Sequence, residues 1–359
     1  MFEFARKWAS ALFGARAPVK KRPPQRVLFI LKRNEGYGGS GPSSGLLNSA
    51  RYCLVTLQDA GIGAHLVEVT DNNDIDREIT KYRPTVVIIE ALWVVPEKFD
   101  VLKRLHPGVE WIVRIHSEVP FLAQEGIAMA WIIDYWRRGL TVAVNSRRCQ
   151  RDLWRVKCAT RAPGGTAYLP NCYVLPAVPD ERTDPRRLNI GCFGAIRPMK
   201  NQLEQAICAI HFANNVGLPL DFHINAARVE TGGENPLRNI RELFRRLPRE
   251  RFRLVEHGWE SRRQFLDTLA MMDLCLQVSM TESFNLVTAD AIAAEVPVVT
   301  SPEISWSAPQ YQARPTDSSA ILAAMHDAYE NPCRAVQRNL KCLEDWIARS
   351  TQIWVDRFS

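Results

Sequence analysis

Short apolar runs rich in β-branched residues alternate with helical patterns along the whole chain, and this restricts the fold more than any other feature. "RVLFILKR" (26–33) is followed by a Gly/Ser/Pro stretch, "NEGYGGSGPSSG" (34–45), and by a helical pattern (46–61) that stops on Gly61. "AHLVEV" (64–69), "TVVIIEAL" (85–92), "EWIVRIH" (110–116) and "TVAVNS" (141–146) read as further strands, with helical segments between them, one of them long (121–138). Runs of this kind are buried on both faces, the mark of a parallel sheet covered by helices. Residues 159–188 are rich in Pro, Gly and charge and read as an interdomain linker. The pattern then restarts with "LNIGCFGAI" (188–196), "LDFHINAA" (220–227), "FRLVEHG" (252–258), "LCLQVSM" (274–280) and "VPVVTS" (296–301). Helices are expected at 201–216, around 236–247, at about 284–294 and over 317–349. Two such series in 359 residues predict two domains. A ligand cleft then falls where the carboxyl ends of the two sets of strands face each other.

The net charge of +7 is concentrated at one end. Residues 1–26 carry seven Lys/Arg and one acid, Glu3, so the body of the chain is near neutral. "MFEFARKWASALFGARAPVKKRPPQR" has charges inside its apolar stretch and does not read as a secretory signal. Phe4, Trp8 and Leu12 repeat at helical spacing among basic residues. The segment reads as a basic amphipathic helix that can rest on an anionic membrane or a polyanion, or pack on its own protein. No run is apolar enough to span a membrane. The nine Cys show no CxxC pair and no zinc spacing, which predicts reduced thiols and a cytoplasmic setting, with peripheral membrane contact through the arm.

Two stretches carry candidate chemistry. In "IGCFGAIRPMKNQ" (190–202) a strand runs to Gly194, Arg197 and Lys200 lie in the loop, and a helix starts near Asn201. Cations beside a helix amino end suit a diphosphate; solvated cations on a plain strand–helix turn are the other reading. In "MTESFNLVTADAIAAEVPVVTSPE" (280–303) Glu282 follows a strand directly, and Asp290 lies about two turns along the next helix. The first amides of that helix, of Phe284, Asn285 and Leu286, would point into the cleft. Glu282 could instead cap the helix and Asp290 could lie on a solvated face, although so apolar a helix is an awkward place for a solvated acid. His116 ends a strand on the cleft side, a place that suits a catalytic group, a hydrogen-bonded structural histidine being the other reading. Arg147, Arg148 and Arg151, and the arginines of 238–253, read as solvated helix charges. "DNNDID" (71–76) reads as a loop and helix cap, so no metal site is expected.

The order strand, E-x-F-x-x-x-x-x-[ED], small apolar helix, "PVV" resembles the donor-site signature of GT-B glycosyltransferases, particularly retaining family 4 (glycosyltransferase group 1). "GCFGAIRPMKN" resembles the upstream glycine–loop–lysine segment of that family, and "VEHGWESRRQFLDTLAMMDLCLQVSMTESF" its connecting stretch. "GYGGSG", "RIHSEVPF", "VNSRRCQRDL" and "YLPNCY" resemble its first-domain segments in their expected order. The resemblance spans about 26 to 300.

It implies an α/β protein of the GT-B kind, two Rossmann-like domains whose parallel sheets face across a cleft. The expected division is a basic arm (1–25), an acceptor-side domain (26–180), a nucleotide-sugar domain (186–340) and a C-terminal helix (341–359) that can cross back to the first domain. Glu282 would lie near the anomeric carbon, His116 against the transferred sugar, and Lys200 with Arg197 on the leaving diphosphate. Asp290 would hold the ribose. The amides of Phe284, Asn285 and Leu286 would bind phosphate, and Gly38 and Gly39 would let the first loop approach it. The implied activity is transfer of a hexose, with retention, from a UDP- or GDP-sugar co-substrate to an acceptor hydroxyl, without bound metal or other cofactor. A saccharide or lipid-linked glycan is one acceptor; a hydroxymethylated base in DNA is the alternative, and a nucleotide-binding GT-B protein without turnover, or a sugar-nucleotide epimerase, the others. Asp290 in place of Glu, Ala195 in place of an Arg, Asn285 in place of a small residue and Glu295 in place of Gly depart from the family pattern.

Overall fold

The computed structural model describes residues 25–33, 45–177, 187–230, 232–258 and 260–359. Gly38, Gly39, nearly all of the basic arm and the expected domain boundary at 180–186 lie outside these residues. The first sheet contains β1 (Arg26–Lys32), β2 (Gly63–Val69), β3 (Val86–Glu90), β4 (Glu110–Ile115), β5 (Thr141–Val144) and β6 (Gly165–Tyr168), in the order β2-β1-β3-β4-β5-β6. The second contains β7 (Leu188–Gly191), β8 (Leu220–Asn225), β9 (Phe252–His257), β10 (Leu274–Gln277) and β11 (Val298–Thr300), in the order β11-β10-β7-β8-β9. Every pairing in both sheets is parallel. The central strands explain this: five consecutive residues of β1 and all five of β3 are buried, and a strand buried on both faces needs helices on both sides.

In the first half these helices are α1 (Gly45–Asp59), α2 (Asp74–Tyr82), α3 (Lys98–Leu105), α4 (Val119–Leu122), α5 (Ala128–Arg137) and α6 (Arg147–Thr160). In the second they are α7 (Gln202–Val216), α8 (Glu234–Arg245), α9 (Arg262–Ala270), α10 (Leu286–Ala293), α11 (Ser318–Glu330) and α12 (Pro332–Phe358). The arginines of α8 do form its outer face, paired as Arg241–Glu256 and Arg245–Glu242, while Leu237, Ile240 and Phe244 are buried. Three expectations need correction. The long helix expected at 121–138 is two helices, interrupted around Gly126. The stretch read as linker contains β6, a short edge strand with every residue half-buried. The helical region from 317 onward divides at Asn331, where Pro332 opens a new helix by occupying a first-turn position that needs no amide donor.

Helix α12 returns to the first sheet. The indole N–H of Trp354 donates to Pro170 O (2.7 Å), that of Trp346 to Asn171 O (2.8 Å), and Arg357 pairs with Glu110. Phe284, at the approach to α10, lies 5.3 Å from Trp306, 5.4 Å from Trp346 and 6.2 Å from Tyr173, whose own ring is 5.3 Å from Tyr52 of α1. One apolar core therefore runs through both halves. No helix among the described residues is long and apolar enough to cross a membrane.

Candidate active site

The second sheet brings Lys200 and Glu282 together across 82 positions of sequence. After β7 the chain turns at Gly194, whose φ of +110° suits glycine and whose N–H donates to Asn225 Oδ1 (2.8 Å). A 3-10 turn (Pro198–Lys200) then leads into α7. After β10 the chain runs alongside this turn and is joined to it. Met280 N donates to Met199 O (2.8 Å), Val278 N to Gln205 Oε1 (2.8 Å), and Asn201 Nδ2 to Val278 O (3.2 Å). The Lys200 ammonium and the Glu282 carboxylate form an ion pair, each about a tenth exposed. Glu282 does not cap the following helix. Asn285 does, in a left-handed conformation (φ 64°), its side-chain oxygen accepting from Thr288 N (3.0 Å). This corrects the expected helix start: α10 begins at Leu286, so of the three amides expected at its amino end Phe284 and Asn285 precede the helix.

The first sheet supplies the opposite wall. His116 follows β4, and its backbone carbonyl accepts from Ser283 Oγ (3.1 Å). Its Nε2 lies 2.5 Å from Glu90 Oε2 at the end of β3. Glu90 and Arg114 are fully buried, with Arg114 Nη1 3.1 Å from both carboxylate oxygens. Burial by itself would raise the Glu90 carboxyl, but the guanidinium and the imidazole outweigh it and hold the group below the ordinary range. Burial, helped by Arg114, lowers His116 despite Glu90, which favours a neutral ring. Arg114 also donates to Leu169 O (3.1 Å), Pro170 O (3.2 Å) and Asn171 Oδ1 (2.5 Å), which fixes the end of β6 against β4. His116, Thr281, Glu282, Lys200 and Arg197 line one cavity of about 80 Å³. Arg197 reaches across to stack on Phe121 of α4, 4.9 Å from the ring, and sits 3.6 Å from Glu230.

Asp290 is buried rather than solvated. Its Oδ1 accepts from Tyr173 OH (2.7 Å) and lies 2.9 Å from Arg262 Nη1. Burial raises its carboxyl against the pull of both partners. It borders a second cavity of about 90 Å³ with Gly194, Asn225, Glu260, Leu286 and Val287. A third and much larger cavity, of about 510 Å³, adjoins Glu282 and Ser283 and is bounded by α6, by the end of β6 and by α12. Arg147, Arg148 and Arg151 all line it; Arg147 and Arg151 are exposed, as solvated helix charges should be, whereas Arg148 is half-buried and paired. Arg148 bridges Glu118 (3.3 Å) of the first half and Glu303 (2.6 Å) of the second, and approaches Glu282 O (3.4 Å). Glu90, Arg114, Glu118, Tyr173, Arg262 and Glu303 also border these spaces or hold their walls, and none of them stands out in the sequence. Glu90, Glu118 and Glu303 all sit at or just beyond strand ends, and that position was the available signal. Among the described residues no three His, Cys, Asp or Glu side chains gather in a metal-binding group.

No protein-family model matches the sequence, and no curated protein matches it. Solved structures do match the fold. The N-terminal domain of Candida albicans trehalose-6-phosphate phosphatase aligns with a TM-score of 0.68 at 11% identity, over 96% of this chain and 97% of that one. Sucrose-phosphate synthase from Thermosynechococcus elongatus gives 0.62 at 16% identity, over 91% and 97%. The E. coli trehalose-6-phosphate structure bound with UDP-2-fluoro glucose gives 0.60 at 12% identity, over 93% and 98%. What these share with the chain is the fold, two parallel α/β sheets in the GT-B arrangement.

Proposed function

We propose that the protein is a glycosyltransferase that moves a hexose from a nucleoside-diphosphate sugar to an acceptor hydroxyl with retention of configuration. The observation that carries this is the Lys200–Glu282 pair at the carboxyl end of one parallel sheet, facing His116 at the carboxyl end of the other. A departing diphosphate needs cations and amide dipoles fixed in advance where its charge develops. Lys200, Arg197 and the amino end of α10 offer both. Glu282 and His116 would lie against the sugar as it gains oxocarbenium character, with Glu282 freed from Lys200 when the diphosphate takes its place. The cavity bordered by Gly194, Asn225, Glu260 and Asp290 would receive the nucleoside, Asp290 accepting from ribose through the oxygen that Tyr173 does not use. The uridine nucleotide named for the E. coli structure favours a UDP-sugar over a GDP-sugar.

The test is a thermal-shift titration with UDP, GDP and their hexose conjugates on the parent, Lys200→Ala and Glu282→Ala. One nucleotide at about 100 times its dissociation constant should add about 2.7 kcal/mol of stability. Lys200→Ala should abolish the shift; Glu282→Ala should keep nucleotide binding and stop sugar transfer. No shift with any nucleotide, or full transfer by Glu282→Ala, would overturn the proposal.

A further inference from the structure

The cavity of about 510 Å³ has the size of a small-molecule site, and its place in the molecule limits what it can hold. Glu118, Glu282 and Ser283 line both this cavity and the small one that contains His116 and Lys200. A molecule seated in the larger space therefore abuts the point where the sugar would be transferred. Part of its wall is aromatic: Tyr168, Trp306 and Trp346. Both indole N–H groups are engaged elsewhere, Trp306 with Phe284 O (2.7 Å) and Trp346 with Asn171 O (2.8 Å). These rings offer carbon surface, which packs well against the C–H face of a sugar ring.

The polar part of the wall is cationic. Arg148 is neutralised by Glu118 and Glu303, but Arg147 and Arg349 pair with no carboxylate among the described residues. Arg147 lies over the Tyr168 ring, 4.0 Å from its centre, and donates to Gln150 Oε1 (3.1 Å). Both guanidiniums line the cavity beside Tyr168 and act on its hydroxyl, opposing the burial that raises it. The amino end of α6, capped by Ser146 through Cys149 N (3.0 Å), opens on the same cavity. Glu118 adds a different signal. It is 3% exposed, and its Oε1 has no hydrogen-bond partner among the described residues, the Ser146 hydroxyl being the nearest polar group to act on the carboxyl besides Arg148. A buried carboxylate oxygen left unpaired is costly unless a ligand donates to it, and a sugar hydroxyl is such a donor.

We infer that this cavity is the acceptor site and that the acceptor is an anionic saccharide, its acid group held by Arg147 and Arg349 and one hydroxyl by Glu118. The identification as acceptor site rests on the glycosyltransferase reading; the recognition of a sugar acid does not. Phosphate and carboxylate sugars share the required chemistry. The test is titration calorimetry with hexose 6-phosphates, glucuronate and neutral glucose on the full chain, run on the parent, on the double variant Arg147→Gln/Arg349→Gln, and on Glu118→Gln. At least one acid should bind ten times more tightly than glucose, and which class does so identifies the acid group. The double variant should lose at least tenfold of that affinity while its thermal shift with nucleotide stays as in the parent, which also shows that it is folded. Glu118→Gln should weaken the acid and glucose alike.

No preference for acids, or acid binding unchanged in the double variant, would overturn the inference. So would an oligonucleotide that depends on Arg147 and Arg349 where no sugar acid binds. Acid binding in a chain that takes up no nucleotide would leave an anionic-sugar site and overturn its role as acceptor site, whereas nucleotide binding without acid preference would leave the transferase reading standing.

Discussion

His223 shows how one side chain ties stability to pH. It lies on β8, next to β7, and is 8% exposed. Its Nε2 is 3.2 Å from Asn189 Oδ1 and its Nδ1 2.9 Å from His257 Nε2. The Asn189 oxygen can only accept, so His223 carries its proton on Nε2 and accepts at Nδ1 from His257. Burial, with the neighbouring His257, pushes its pKa down to about 4 from 6.5. Of the charged groups around the pair, Asp221 acts in the opposite direction and Glu260 faces His257 at 3.5 Å. A lowered histidine binds its proton less readily when folded than when unfolded. The stability it contributes is therefore complete above 6.5 and is lost as pH falls toward 4. Between pH 7 and pH 5 the loss is about 2 kcal/mol. His223→Gln keeps a donor for Asn189 and cannot titrate, so urea unfolding at the two pH values should show that much less difference than in the parent. An unchanged difference would mean that other groups carry the acid sensitivity. At this scale the sequence was informative where a residue's position alone settled its neighbourhood. Lys200 and Glu282 lie in the segments that follow two strands of one sheet, and both segments were readable. The half-buried place of Arg148 was not, because helical spacing identifies a helix face without revealing which cavity that face borders.

The elements show the same division. Long buried strands were readable because β-branched runs of five or more residues have few alternatives. β6 was not, because "GTAY" is short, half-buried and surrounded by turn-forming residues. Its position is set from outside, by Arg114 on β4 and by α12. Trp354 is the centre of that arrangement. Its indole donates to Pro170 O, its ring lies 5.8 Å from Phe29, and Arg114 stands 5.3 Å above it. Trp354→Phe keeps most of the ring and removes one of the two donors to Pro170 O, the Arg114 guanidinium remaining, a cost of about 1 kcal/mol. Trp354→Ala also opens a cavity and should cost about 3–5 kcal/mol. Denaturant midpoints on the two variants measure both steps. If Trp354→Phe were neutral, the hydrogen bond would not hold β6, and α12 would act by packing alone.

For the molecule as a whole, a GT-B arrangement invites the expectation of two domains that unfold separately, as multidomain chains commonly do. The packing argues otherwise. Phe284 of the second half stacks on Trp306, packs against Trp346 and meets Tyr173, which meets Tyr52 of the first half. Asp290 of α10 accepts from Tyr173, so the connection is polar as well as apolar. Neither half can open this cluster without exposing buried aromatic surface on the other, and α12 spans both. The repeated strand–helix series revealed two sheets in the sequence. It could not reveal the joint core, because the cluster draws on residues more than a hundred positions apart whose apolar character alone names no partner. A calorimetric scan should therefore give one transition, with calorimetric and van't Hoff enthalpies equal. A nucleotide bound at the second sheet should then raise the whole transition. Trp346→Ala removes the ring between Phe284 and the α12 anchor, and should either lower that single transition by the cost of a buried tryptophan, about 3–5 kcal/mol, or split it in two. Two resolved transitions in the parent, of which nucleotide moves only one, would show that the halves fold independently and that the aromatic cluster is contact without coupling.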